Sequence, residues 1–168
     1  MKGKEELLEK LGSEVNELDL SKDEDLSIAL MNLISLEEHL YFSAMKTKKT
    51  GFIEKMYKIR GIRTELMKEI VDKGEGEEWC ISKHLLAASM RVIETANKIY
   101  EEESGKAENL YNLAFDLYSM FWGINLGLED EEDLETETLE RGMEEESSGW
   151  LENTKEIVKK VIDCCVEK

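Results

Sequence analysis

Two ionisable residues stand where a helix face calls for leucine. Glu37 falls between Leu33 and Leu40, and Arg63 between Ile59 and Leu66, each in the middle of an apolar stripe of three- and four-residue spacing. About a dozen residues separate each from the turn at 48–50, so an antiparallel hairpin sets them at one level. Burying either charge alone is costly, whereas a hydrogen-bonded pair is tolerated. One reading is a structural ion pair that fixes helix register. The other is a polar pocket in the helical core, with Ser82, Ser89, Tyr118 and Asn125 also on inward faces. In that pocket Arg63 would suit a carboxylate or phosphate, and Ser89 and Tyr118 would orient the ligand beside Glu37.

Cys80 and His84 lie four apart on one helical face, a spacing that can chelate zinc. Cys164 and Cys165 could add thiolates, but adjacent helical residues point about 100° apart, which makes joint ligation awkward. The plainer reading makes Cys80 a small half-buried residue and His84 a surface or groove histidine. His39 follows Glu37 and Glu38 but points away from the apolar centre. Several chemistries lack their residues. Di-iron bundles need Glu-x-x-His on inward faces, and positions 36 and 81 are Leu and Ile. There is no glycine-rich phosphate loop, nucleophile elbow or His-Glu-x-x-His. Helical nucleases of the HEPN class carry Arg followed by His four to six residues on, and none of the arginines at 60, 63, 91 and 141 has one. No catalytic constellation and no cofactor is predicted, zinc at Cys80 and His84 being the one alternative.

The elements that would position these residues are all helical. The chain has no proline, and Leu, Glu, Lys, Met and Ala dominate it. Residues 77–103 form the expected central helix, with Ile81, Leu85, Ala88, Val92, Ala96 and Ile99 as its apolar face. Before it come an amphipathic helix over 4–18 and a helix from a capping box at Ser21 and Glu24 to about Lys48. The latter's inward face is Leu26, Ala29, Leu30, Leu33, Leu36, Leu40 and Ala44. A third helix has Phe52, Met56, Ile59, Leu66 and Ile70 inward, and ends at 74–76. After a break at Ser104 and Gly105, a fifth helix carries Ala107, Leu110, Tyr111, Ala114, Leu117, Tyr118, Phe121 and Ile124 to about Gly127. Short connections make neighbours antiparallel. The fold class read here is all-α: an up-down four-helix bundle with an additional flanking helix at each end. Residues 1–128 hold the bundle with its N-terminal flanking helix, 129–149 an acidic linker, and 150–168 a C-terminal amphipathic helix. That last helix folds back on the bundle or docks on another subunit.

At 168 residues the chain is one domain with a real core. Its formal net charge of −17 repels phosphate backbones and anionic membranes, so no nucleic acid and no membrane is expected as a partner. Residues 129–146 hold eleven acids against Arg141 alone, and read as a flexible tether whose partner would be basic. Three cysteines make no disulfide framework, no signal-peptide pattern opens the chain, and no apolar run reaches about 20 residues. A cytoplasmic location is expected.

The stretches SIALMNLISLEEHLYFSAMKTKKTGF and EWCISKHLLAASMRVIETANKIY resemble small uncharacterised helical proteins of archaeal and uncultured bacterial genomes, over about residues 25–128. The resemblance implies no activity. Six amphipathic segments, no catalytic constellation, and Phe42 and Trp122 on outward faces lead to a non-enzymatic interaction or scaffold protein that self-associates. The alternative is a small-ligand or metal site in the core around Glu37 and Arg63.

Overall fold

The computed structural model describes residues 21–71, 76–127 and 143–161, and among them every regular element is an α-helix. These are α1 (Ser21–Thr47), α2 (Gly51–Met67), α3 (Glu77–Ile99), α4 (Ser104–Asn125) and α5 (Met143–Val161). None is long and apolar enough to cross a membrane. The helix expected over 4–18 lies outside the described residues, as do 128–142, Cys164 and Cys165.

Local chemistry sets the boundaries. Asp23 and Glu24 occupy the first turn of α1 and Lys46 its last, matching the helix dipole. Lys48 then adopts φ 57°, and its N–H donates to the Ala44 carbonyl at 2.8 Å, a left-handed stop. Two further residues lead into α2, which runs antiparallel to α1. The central helix is shorter than the periodicity predicts and ends at Ile99, while Ser104 and Gly105 open α4 instead of breaking the chain. Glu101, Glu102 and Glu103 explain the difference. Three carboxylates oppose the dipole at the C-terminus of α3 but favour it just ahead of α4. The Glu103 carbonyl accepts from Lys106 and Ala107 at 3.0 and 2.9 Å.

The two hairpins, α1 with α2 and α3 with α4, meet through α1 and α3, and α5 packs on α4. The core lies where they meet. It takes Leu30 and Met31 from α1, Met67 from α2, Leu85 and Leu86 from α3, Tyr118, Phe121 and Trp122 from α4, and Val158 from α5. Ser27, Ser82 and Ser89 are fully buried beside them, and such small side chains let helix backbones approach closely.

Three expected faces are rotated. The buried edge of α3 runs through Ser82, Leu85, Leu86, Ser89 and Ala96, leaving Ile81 44% exposed. On α1 Leu36 is exposed, because Glu37 takes the inward place one residue on. Trp122, read as outward, is 2% exposed. It packs edge-on against Tyr118 and Phe121 in the core, with ring centres 6.2 and 5.5 Å apart, and α5 lies over the next residue. A Cβ on Gly123 would stand 2.5 Å from Trp150 Cζ2, so the glycine is what allows the indole to seat. Of the two placements open to the C-terminal helix, the structure has the one on its own α4, where Lys155 pairs with Asp116 at 2.7 Å. The acidic linker expected over 129–149 is also cut short, since α5 already starts at Met143.

Candidate functional site

The α1–α2 hairpin brings Glu37 and Arg63 together. Arg63 Nε donates to Glu37 Oε1 at 2.5 Å, and Arg60 Nε donates to the other oxygen, Oε2, at 2.8 Å. Glu37 is 9% exposed and Arg63 7%, whereas the Arg60 side chain is nearly half exposed and its guanidinium lies 5.4 Å from the centre of the Tyr57 ring. Arg63 Nη1 also reaches the Met67 sulfur at 3.8 Å. The heptad spacing of Leu30, Glu37 and Ala44 on α1, facing Met56 and Arg63 on α2, puts the carboxylate on the seam. Sequence reasoning paired the right helices but missed Arg60. It stands three residues before Arg63, hence on the same face, and that spacing was the signal.

Ser89 and Tyr118 gather elsewhere. With Glu24, Ile28, Met31 and Ile93 they line a groove of about 340 Å³ between α1, α3 and α4. Ser27 gives its one hydroxyl proton to the Glu24 carbonyl at 2.7 Å, so the Tyr118 hydroxyl donates to Ser27 Oγ at 2.6 Å. Burial pushes the Tyr118 phenol above its usual 10.0, and the nearby Glu24 carboxylate adds to this. Ser89 donates to the Ala114 carbonyl at 2.9 Å. Asn125 joins Ser82 at 3.0 Å and the Phe121 carbonyl at 2.7 Å, a third separate cluster. A second cavity, about 430 Å³, lies by Ser35, Leu36, Glu38, His39, Phe42 and Arg91. There Arg91 donates to Ser35 Oγ at 2.9 Å and faces Glu38 at 3.5 Å. Glu37 and Arg63 line neither cavity.

Cys80 is a free, exposed thiol rather than a half-buried one, and His84 is exposed one turn on. No group of three or more His, Cys, Asp or Glu gathers among the described residues. A zinc site at Cys80 and His84 would need further ligands, and the cysteines suggested for it lie outside those residues.

The remaining feature is a surface. Tyr41 (46% exposed), Phe42 (59%) and Met45 (54%) end α1, and Tyr57 (62%) and Ile62 (51%) stand on α2. Only Leu40, Ala44 and Met56 are buried in this outer part of the hairpin, where α1 and α2 have run past the core. Comparison with protein-family models, with curated proteins and with solved structures finds no match.

Proposed function

We propose that this is a non-enzymatic interaction protein of the cytoplasm that self-associates through the outer part of the α1–α2 hairpin. One observation carries the reading: five large apolar side chains, Tyr41, Phe42, Met45, Tyr57 and Ile62, stand between 46% and 62% exposed on one hairpin. Single exposed apolar residues are ordinary, but five large ones on one hairpin, with Tyr41 and Phe42 edge to face at 5.3 Å, mark an interaction surface. Four are aromatic or methionine residues of the kind enriched at interface centres. In this reading α1 to α4 form an up-down four-helix bundle flanked by α5, and the free Cys80 thiol accords with a reducing compartment. A small-ligand site at Glu37 and Arg63 has less support, because each carboxylate oxygen already accepts from an arginine.

Sedimentation equilibrium of the full chain tests the proposal. A mass above the monomer that rises with concentration is expected, and Phe42→Glu with Tyr57→Glu should weaken association at least tenfold. A strict monomer over the whole range would overturn it.

A further inference from the structure

The outer hairpin has a second property that the chain-wide charge conceals. Residues 46–60 carry Lys46, Lys48, Lys49, Lys55, Lys58 and Arg60 against a single acid, Glu54, a local charge of +5 within a chain of −17. Arg60 is engaged with Glu37. Among the described residues none of the five lysines has a carboxylate within 4.0 Å, although the chain holds 39 acids. Lys46, Lys48, Lys49, Lys55 and Lys58 are all exposed, and Lys55 Nζ sits 5.6 Å from the centre of the Phe52 ring. The tip is thus a cationic surface studded with exposed aromatic rings.

Its complement is in the same sequence. Residues 129–146 hold eleven acids against Arg141, with Leu134, Leu139 and Met143 set among them. A charged sequence with apolar residues at intervals matches a cationic surface with apolar ones. We infer that the basic, aromatic tip of the α1–α2 hairpin docks the acidic segment 129–146 of a second copy of this chain. The inference rests on the self-association proposed above and names its surface and occupant.

Reach favours the second copy over the segment's own tip. Gly127 follows α4 directly, and α5 begins at Met143 and returns over Gly123, so the intervening chain leaves and comes back at one end of the α4–α5 pair. The fifteen residues 128–142, out and back, extend at most about 25 Å at ~3.4 Å per residue. The end of α1 stands about 26 Å beyond Leu30 in the core, at 1.5 Å per residue. At full stretch a copy's own segment would meet its tip only at the apex, with no length left to lie along it. Two copies can instead exchange segments reciprocally, giving a closed pair. The −17 charges of the two copies repel at long range, but at about 0.15 M salt this fades beyond about 8 Å, while paired side chains touch.

Charge exchange on the full chain tests the pairing by sedimentation equilibrium. Reversing the tip (Lys46→Glu, Lys49→Glu, Lys55→Glu and Lys58→Glu) should weaken association at least tenfold. Reversing the segment (Glu131→Lys, Glu132→Lys, Asp133→Lys and Glu135→Lys) should do the same, and combining both sets should restore it. All four lysines are exposed, so the fold should be retained, and circular dichroism checks this. Raising salt from about 0.15 M to about 1 M should also weaken the native association at least tenfold. Association that ignores both reversals would overturn this docking while leaving self-association standing. A strict monomer would overturn both. A salt-dependent change of shape at constant monomer mass would place the segment on its own tip and overturn the exchange.

Discussion

Glu37 accepts from two arginines of unequal standing, and the inequality fixes what each contributes. Arg63 is buried with the carboxylate, so removing it leaves a charge in the core with only the half-exposed Arg60 to compensate. Breaking a buried pair typically costs about 3–5 kcal/mol. Since Arg60 keeps one oxygen, Arg63→Met should cost about 2–3 kcal/mol of unfolding free energy in urea, at or just below the low end of that range. Arg60→Met, at a solvated and screened site, should cost no more than about 1 kcal/mol. Replacing both buried partners, as Glu37→Leu with Arg63→Leu, should return stability to within about 1 kcal/mol of the parent, because apolar residues fill a seam without desolvation cost. A double variant as unstable as Arg63→Met would sink that account. The pair itself was legible in the sequence, since counting outward from the turn at 48–50 sets Glu37 against Arg63. The other polar residues on inward faces were legible as buried but not as partners. Ser89 turned to a backbone carbonyl one helix away, and Tyr118 found Ser27 across 91 positions of sequence. Periodicity gives the face a residue occupies and says nothing of which long-range neighbour meets it.

At the level of whole helices, two glycines in helix interiors answer opposite demands. Gly61 on α2 has open space where a Cβ would stand. Gly61→Ala should therefore gain about 0.5–1 kcal/mol from helix propensity and a stiffer unfolded chain. Gly123 on α4 is wedged against α5, with Trp150 Cζ2 at 2.5 Å and Thr154 Cγ2 at 3.3 Å from the same imagined atom. Gly123→Ala must push the indole outward, and overpacking of this kind costs about 1–3 kcal/mol. Thermal unfolding should show Tm rising for Gly61→Ala and falling for Gly123→Ala, and tryptophan emission of the latter should shift to the red. Equal effects from the two would mean that α5 is not seated through Gly123. This contact is where the sequence was least informative. The acidic stretch separates α5 from α4 with no local cue to where α5 docks, so nothing in the spacing marked Gly123 as its seat, and Trp122 beside it read as outward although it is 2% exposed. The rest of α4 read correctly, because Ala107, Ala114, Tyr118 and Phe121 keep a regular spacing toward α3.

Across the molecule, burial is shared unequally, and stability should follow it. α2 buries Met56, Arg63 and Met67 among its 17 residues, while α4 buries seven of 22, including Phe121 and Trp122. α3 and α4 form the most extensive pairing, and α2 is supported chiefly by α1. Segments with few buried apolar contacts open at the lowest free energy. In dilute solution, amides of residues 51–60 should exchange first among α1 to α4 and those of 114–123 last. Chain-wide charge hid the feature that makes this order interesting. A total of −17 suggests a uniformly acidic surface, yet α2, supported chiefly by one neighbour, is also the basic element, with its rings exposed. An element held this loosely gains most when a second copy covers it, since docking adds the contacts that the monomer lacks. Raising protein concentration should therefore slow exchange over residues 46–60 while leaving 114–123 unchanged. Hydrogen exchange read at several concentrations would decide it: slowing spread evenly over all helices, or confined to α3 and α4, would place the association surface away from the hairpin tip.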